Sequence, residues 1–246
     1  MAISHLPFDH ALIALVLVLS VIEWLWVYPR LTRSIAAGAP GARGRLYAWI
    51  VFELWLLGAV VAVGWPALGR SWATLRLGTG SPMQMLTGAG IAILFAVFLG
   101  SQRRTLLRKP EVLQRVMTRA AYADPLIPRT PAQHRVFMLI SISAGVFEEL
   151  FFRGFAMAYF AAWGGTVAAV FLSSVLFGLG HLYLGWKHVI RTAVLGVFFA
   201  LIALAAGSLW PGMLIHALID MNSGDLGYRA FGEDRDRSRA GSPATA

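Results

Sequence analysis

The chain has 246 residues, 58% of them hydrophobic and only 13% charged, with a mean hydropathy of +0.67 and a formal net charge of +9. That composition excludes an ordinary soluble domain, which is closer to half apolar, and the absence of cysteine excludes disulfides, thiolate catalysis and thiolate metal sites. The basic residues collect in the gaps between apolar runs, as in a polytopic membrane protein, so membrane lipid is the expected partner and nucleic acid is not.

The amino-terminal stretch MAISHLPFDH has no basic n-region, and no small-residue cleavage site follows the first apolar run. That run is expected to be a retained helix and not a cleaved signal. Spanning lipid takes about 20 apolar residues, and such runs lie at roughly 8–28, 46–68, 82–100, 136–163, 165–184, 188–206 and 208–226. Runs this long and continuous do not make barrel strands, and only helices or closed barrels cross lipid. The expected fold is therefore an all-α, polytopic transmembrane helical bundle of about seven spans. No internal repeat is evident. Three regions are expected: a three-span region with a basic loop (1–134), a four-span core (135–226) and a polar, disordered tail (227–246).

Seven spans put the two ends on opposite sides of the membrane. The gaps 29–45, 101–135 and 185–191 carry four, eight and two Lys/Arg, and the tail carries four. The alternate gap 69–81 carries only Arg70 and Arg76, and the remaining short turns carry none. This bias predicts an external N-terminus, a cytoplasmic C-terminus and a cytoplasmic loop 101–135, read as a topology determinant. The stretch SWATLRLG before the third span is either an interfacial turn anchored by Trp72 or a simple connection.

The fourth and fifth spans meet at AWGGT, where adjacent glycines permit a tight reversal. A hairpin turning near Gly164–Gly165 brings together residues whose numbers sum to about 329, which places Glu148 and His181 at one depth, roughly 22–25 Å from the turn. Glu149 and Arg153 are four apart and form an ion pair along one face, while Glu148, about 100° away, is left for another task. Phe177 sits one turn before His181 in FGLGH, where glycines allow close helix packing. His216 and Asp220 are again four apart, in HALID on the last span. Three helices thus bring two histidines, three carboxyl groups and one arginine to membrane depth, where ionisable residues are costly and usually functional.

The other polar residues have plainer readings. Glu149 with Arg153 is read as a structural bridge. Glu23 and Glu53 fall near span ends, within reach of headgroups or loop arginines, and are read as structural. His5, His10, His134 and His188 also lie near span ends and are given no specific role.

The segments EELFFR (Glu148, Glu149, Arg153), FGLGH (Phe177, His181) and HALID (His216, Asp220) occur in the order E-E-x-x-x-R, F-x-x-x-H and H-x-x-x-[ND]. In this the region 135–226 resembles the CPBP intramembrane proteases, which include the CAAX-processing endopeptidase and bacterial proteins linked to bacteriocin self-immunity. The resemblance implies a glutamate-dependent endopeptidase acting on a peptide or protein substrate, with a cavity open to the cytosol, in a bacterial inner membrane. It implies that Glu148 and His181 activate water, that His216 and Asp220 stabilise the oxyanion, and that Arg153 supports them. An ionised aspartate cannot donate a hydrogen bond as asparagine would, so Asp220 is expected either to be protonated in its apolar site or, the favoured reading, to orient His216 instead. His216 lies only some 9–12 Å below the outer turn if the last span begins near Ser208, and it reaches Glu148 only if that turn is recessed or the helix tilts.

No cofactor is expected. The nearest rival is a zinc peptidase using Glu148, His181 and His216. A non-enzymatic scaffold or immunity protein that keeps the polar cluster for packing is the alternative from another class. A proton-coupled transporter would show paired, interrupted halves, and no such symmetry is seen.

Overall fold

A computed structural model describes residues 6–119 and 125–232. Every long element among them is a helix. Helix α1 (Pro7–Ile22) runs through a π-helical turn (Glu23–Val27) into α2 (Tyr28–Ala36). It is followed by α3 (Ala42–Ala67), a short 3-10 turn (Trp72–Leu75), α4 (Pro82–Leu107) and α5 (Pro110–Arg119). Helix α6 (Pro131–Glu148) passes through a second π-helical stretch (Glu149–Ala156) into α7 (Met157–Gly180), and α8 (Trp186–Ala206) and α9 (Trp210–Phe231) complete the bundle.

Local sequence sets the starts. Prolines occupy the first turns of α1, α4, α6 and α9, where a missing N–H costs nothing. Ser81 and Gln84 cap α4 reciprocally, at 3.3 and 2.8 Å, and the Thr130 hydroxyl accepts from Gln133 N at 3.2 Å to start α6.

Five helical runs among the described residues are long and apolar enough to cross a membrane: Pro7–Ala36, Ala42–Ala67, Pro82–Leu107, Pro131–Gly180 and Trp186–Ala206. The fourth run holds both the fourth and fifth expected spans, because Gly165 at φ 64° breaks it into two legs. The legs pack against each other: the Phe152 and Phe177 rings lie 4.9 Å apart, and these numbers satisfy the hairpin pairing. Helix α9, expected as the seventh span, carries His216, Asp220, Asn222 and Asp225, and these polar residues keep it out of the five. Large apolar side chains such as Leu94, Val167 and Val194 point outward. In water such a surface would be a liability, whereas lipid is its natural solvent.

Two expectations about connections change. The gap 101–135, read as a loop, is partly helical. Helix α4 runs on to Leu107, and α5 lays Leu113 and Met117 against Leu226 and Ala230 of α9. Arg43 secures the chain after α5 by donating to the carbonyls of Pro125 and Ile127. Helix α9 also continues to Phe231, past residue 227 where a disordered tail was expected; the rest of that tail, from 233, lies outside the described residues, as does His5.

The stretch around Trp72 is neither a plain loop nor merely an interfacial turn. Leu75 is wholly buried beside Trp65 and Leu209, and the carbonyls of Arg76 and Leu77 accept from Leu209 N (2.9 Å) and Trp210 Nε1 (3.0 Å). The segment therefore covers the α8–α9 turn, which sits recessed beneath it. This resolves how His216, only two turns into α9, reaches the depth of Glu148.

Candidate active site

The site is built where α6 gives way to the π-helical stretch. Glu148 is the last residue of α6 and Glu149 the first of the stretch. Such stretches are uncommon and concentrate at functional sites. The Glu149–Arg153 pair expected from spacing forms at 3.1 Å, with both side chains 1% exposed. The Arg153 guanidinium also donates to the Gly196 carbonyl at 3.3 Å and lies over the rings of Phe177 (4.1 Å) and Phe199 (5.2 Å). A planar, weakly hydrated cation between aromatic faces is the arrangement in which arginine tolerates burial best.

His216 hangs from this pair. Its Nδ1 is 3.0 Å from Glu149 Oε1, a carboxylate that can only accept, so Nδ1 carries the proton. Its Nε2 is 3.6 Å from Glu148 Oε2 and 3.6 Å from Asp220 Oδ2. The ring stacks on Phe199 at 4.9 Å. The hydrogen bond that orients His216 thus comes from Glu149, and Asp220, expected to orient it, stands with Glu148 at the other nitrogen. Small residues bring α9 this close. A Cβ at Gly145 would lie 2.6 Å from the Met213 carbonyl oxygen, and one at Gly212 would touch the Glu149 carboxylate at 3.4 Å.

Glu148 and His181, depth-matched by the hairpin arithmetic, line one cavity of about 90 Å³. His181 donates from Nδ1 to the Phe177 carbonyl at 3.0 Å, which leaves Nε2 for other partners. Phe177 therefore touches two members of the site: it lies under Arg153, and it both offers its carbonyl to His181 and meets the His181 ring edge-on at 4.9 Å. No hydrogen bond or ion pair joins Glu148 to His181, and Glu148 Oε2 is buried without a hydrogen-bond partner. The cavity has room for water, which needs polar groups of this kind around it.

The opposite wall holds what the sequence reading missed. Glu23, at the start of the first π-helical turn, is 8% exposed and accepts from Trp49 Nε1 at 3.0 Å. Glu53, on α3, is its neighbour at this wall. Both line the cavity with Glu148, His181 and Tyr183. Both face this cavity, and neither is ion-paired with an arginine among the described residues. The available signal was that two acids fell inside apolar runs on separate helices. Of the histidines given no role, His10 pairs with the Tyr159 hydroxyl at 2.8 Å, and His134 stacks on Tyr228 and lies 3.2 Å from Asp225.

Among the described residues, no group of three or more histidine, aspartate or glutamate side chains is arranged to hold a metal ion. Residues 131–222 match the family model described as Type II CAAX prenyl endopeptidase Rce1-like. No curated protein and no solved structure matches the chain. The matched residues contain the π-helical stretch, the hairpin and the start of the His216 helix, and this part of the chain is similar to the Rce1-like CAAX protease family.

Proposed function

We propose that the protein is an intramembrane endopeptidase of the glutamic type, in which Glu148 activates a water held with His181. The observation that carries this reading is the Glu148 carboxyl group on the wall of the cavity, with one buried oxygen lacking a hydrogen-bond partner and His181 on the same wall. Glu148 takes a proton from the water as its oxygen attacks the scissile carbonyl carbon. The C–N bond then breaks, and the same proton passes to the leaving amine. Carrying a proton on each ring nitrogen, His216 keeps Nδ1 on Glu149 and turns Nε2 to the developing oxyanion, with Asp220 beside it. Donors fixed in advance at that position are commonly worth a few kcal/mol. Arg153 acts at one remove by holding Glu149, and Phe177 by holding His181.

The reading uses no metal ion. Its substrates are membrane-associated peptides or proteins in a bacterial inner membrane, and a prenylated C-terminal peptide is the candidate that the family name supplies. Membrane proteomes from cells carrying wild-type or Glu148→Gln protein at equal abundance test it. New peptide ends present only with the wild type are expected. Identical sets of ends, with full biological activity of the variant, would instead leave a scaffold or immunity protein.

A further inference from the structure

Helix α4 is the least buried of the five membrane-length runs. Its last turns carry three arginines whose surroundings differ. Arg103 faces α9, where Asp225 takes its charge at 2.5 Å. Arg104 and Arg108 are exposed, and no hydrogen bond or ion pair engages either side chain among the described residues. They close one end of a groove of about 630 Å³ that runs along α4 past Ser101, Gly100 and Val97 to Ile93. No acidic residue lines it. Ile93, Val97, Gly100 and Arg104 follow one another at helical spacing and so share one face. Gly100 has open space where a side chain would stand, which deepens the groove there. From Arg104 to Ile93 the helix rises about 16 Å at 1.5 Å per residue, and half of a hydrocarbon core is about 15 Å. The groove therefore has the length of one acyl chain, from headgroup level to the bilayer midplane, with two free cations at the headgroup end.

We infer that this groove holds one anionic phospholipid, with its phosphodiester on Arg104 and Arg108 and one acyl chain along Gly100, Val97 and Ile93. Arginine suits that headgroup because its planar fork donates two parallel hydrogen bonds to a phosphate. A soluble phosphate would use the arginines and leave the apolar length empty. A phospholipid of no net charge brings a cation of its own, which competes with the arginines for the phosphate. A second copy of the chain does not fit, because a two-fold interface sets one patch against itself and would oppose these arginines to their own counterparts. The lipid gives α4 the packing that its few protein neighbours do not. The groove shares no residue with the cavity of Glu148 and His181, so the inference stands apart from the endopeptidase reading.

Native mass spectrometry of the intact, delipidated protein in detergent tests this, with dioleoyl phosphatidylglycerol or dioleoyl phosphatidylcholine added in steps. One phosphatidylglycerol should bind about 30-fold more tightly than phosphatidylcholine, the size expected of two arginines at a lipid surface. In the double variant Arg104→Gln, Arg108→Gln that ratio should fall to near one. Arg115→Gln, an exposed change on α5 outside the groove, should keep it. Gly100→Leu retains both arginines but fills the groove, and should weaken phosphatidylglycerol binding about tenfold by displacing part of the chain. A wild-type ratio near one, or an unchanged ratio in the double variant, overturns the inference. Full affinity in Gly100→Leu also overturns it, because diffuse attraction to a basic surface would then suffice. So does displacement of the lipid by an equal concentration of inorganic phosphate, which would make this a site for the anion alone.

Discussion

Two buried clusters of charge lie in this bundle, and they are built to opposite specifications. Where α1 begins, Asp9 is wholly buried and takes both Arg70 guanidinium nitrogens, at 2.6 and 2.7 Å, as well as the Leu6 N–H at 2.8 Å, while Trp65 stacks on the arginine at 4.7 Å. One acid meets one base in a bidentate clamp. At the other cluster, Glu148, Glu149, Asp220, Glu23 and Glu53 surround two histidines and a single arginine, which is committed to Glu149. The clamp fixes packing and needs nothing more. The second cluster holds an excess of acid and a carboxylate oxygen without a hydrogen-bond partner, an arrangement that packing alone does not call for.

Substitutions can break that contrast. The largest effect is expected from Glu148→Gln. It removes the base while keeping shape, so hydrolysis should fall by roughly 10²–10⁴-fold with thermal unfolding unchanged; peptide-cleavage kinetics and a melting curve read both. Next is Arg153→Ala, which leaves Glu149 buried without its cation and should cost about 3–5 kcal/mol of stability as well as activity, because Glu149 positions His216. Arg70→Ala should cost a similar ~3–5 kcal/mol by taking the guanidinium from buried Asp9, yet the rate per folded molecule should stay at the wild-type value. Equal loss of specific activity would mean that the clamp also serves the site. Gly145→Ala should be milder, about 1–3 kcal/mol of overpacking between α6 and α9, and should lower kcat by moving His216 from Glu148. Smallest is chelation. Activity should be unaffected by a metal chelator, and stoichiometric zinc lost together with activity would favour the rival metallopeptidase.

The hairpin was legible because one feature, the Gly164–Gly165 reversal, converts sequence distance into depth. It paired Glu148 with His181 before any coordinates, and Phe152 against Phe177 follows the same rule. The Glu149–Arg153 and His216–Asp220 neighbours were legible from helical spacing. The Glu149–His216 bond was not, since it depends on a recessed α8–α9 turn, and that depends on a buried Leu75 in a segment that reads as connection. Glu23 and Glu53 were misjudged for a related reason. Near a span end an acid can turn outward or inward, and only the packing of α1 beside α3, with Trp49 as donor, settles the direction. Helix α5 was missed because its apolar stripe is short and its partner, α9, lies about a hundred residues on.

Glu148 acting as base on a cavity water is tested most directly by single-turnover hydrolysis of a cleaved peptide in ¹⁸O-labelled water. The protein should be held in nanodiscs, with wild type and Glu148→Gln run side by side. The wild type should place one labelled oxygen in the new carboxylate, and the variant should yield no product on that timescale. Cleavage by Glu148→Gln at the wild-type rate would contradict the account.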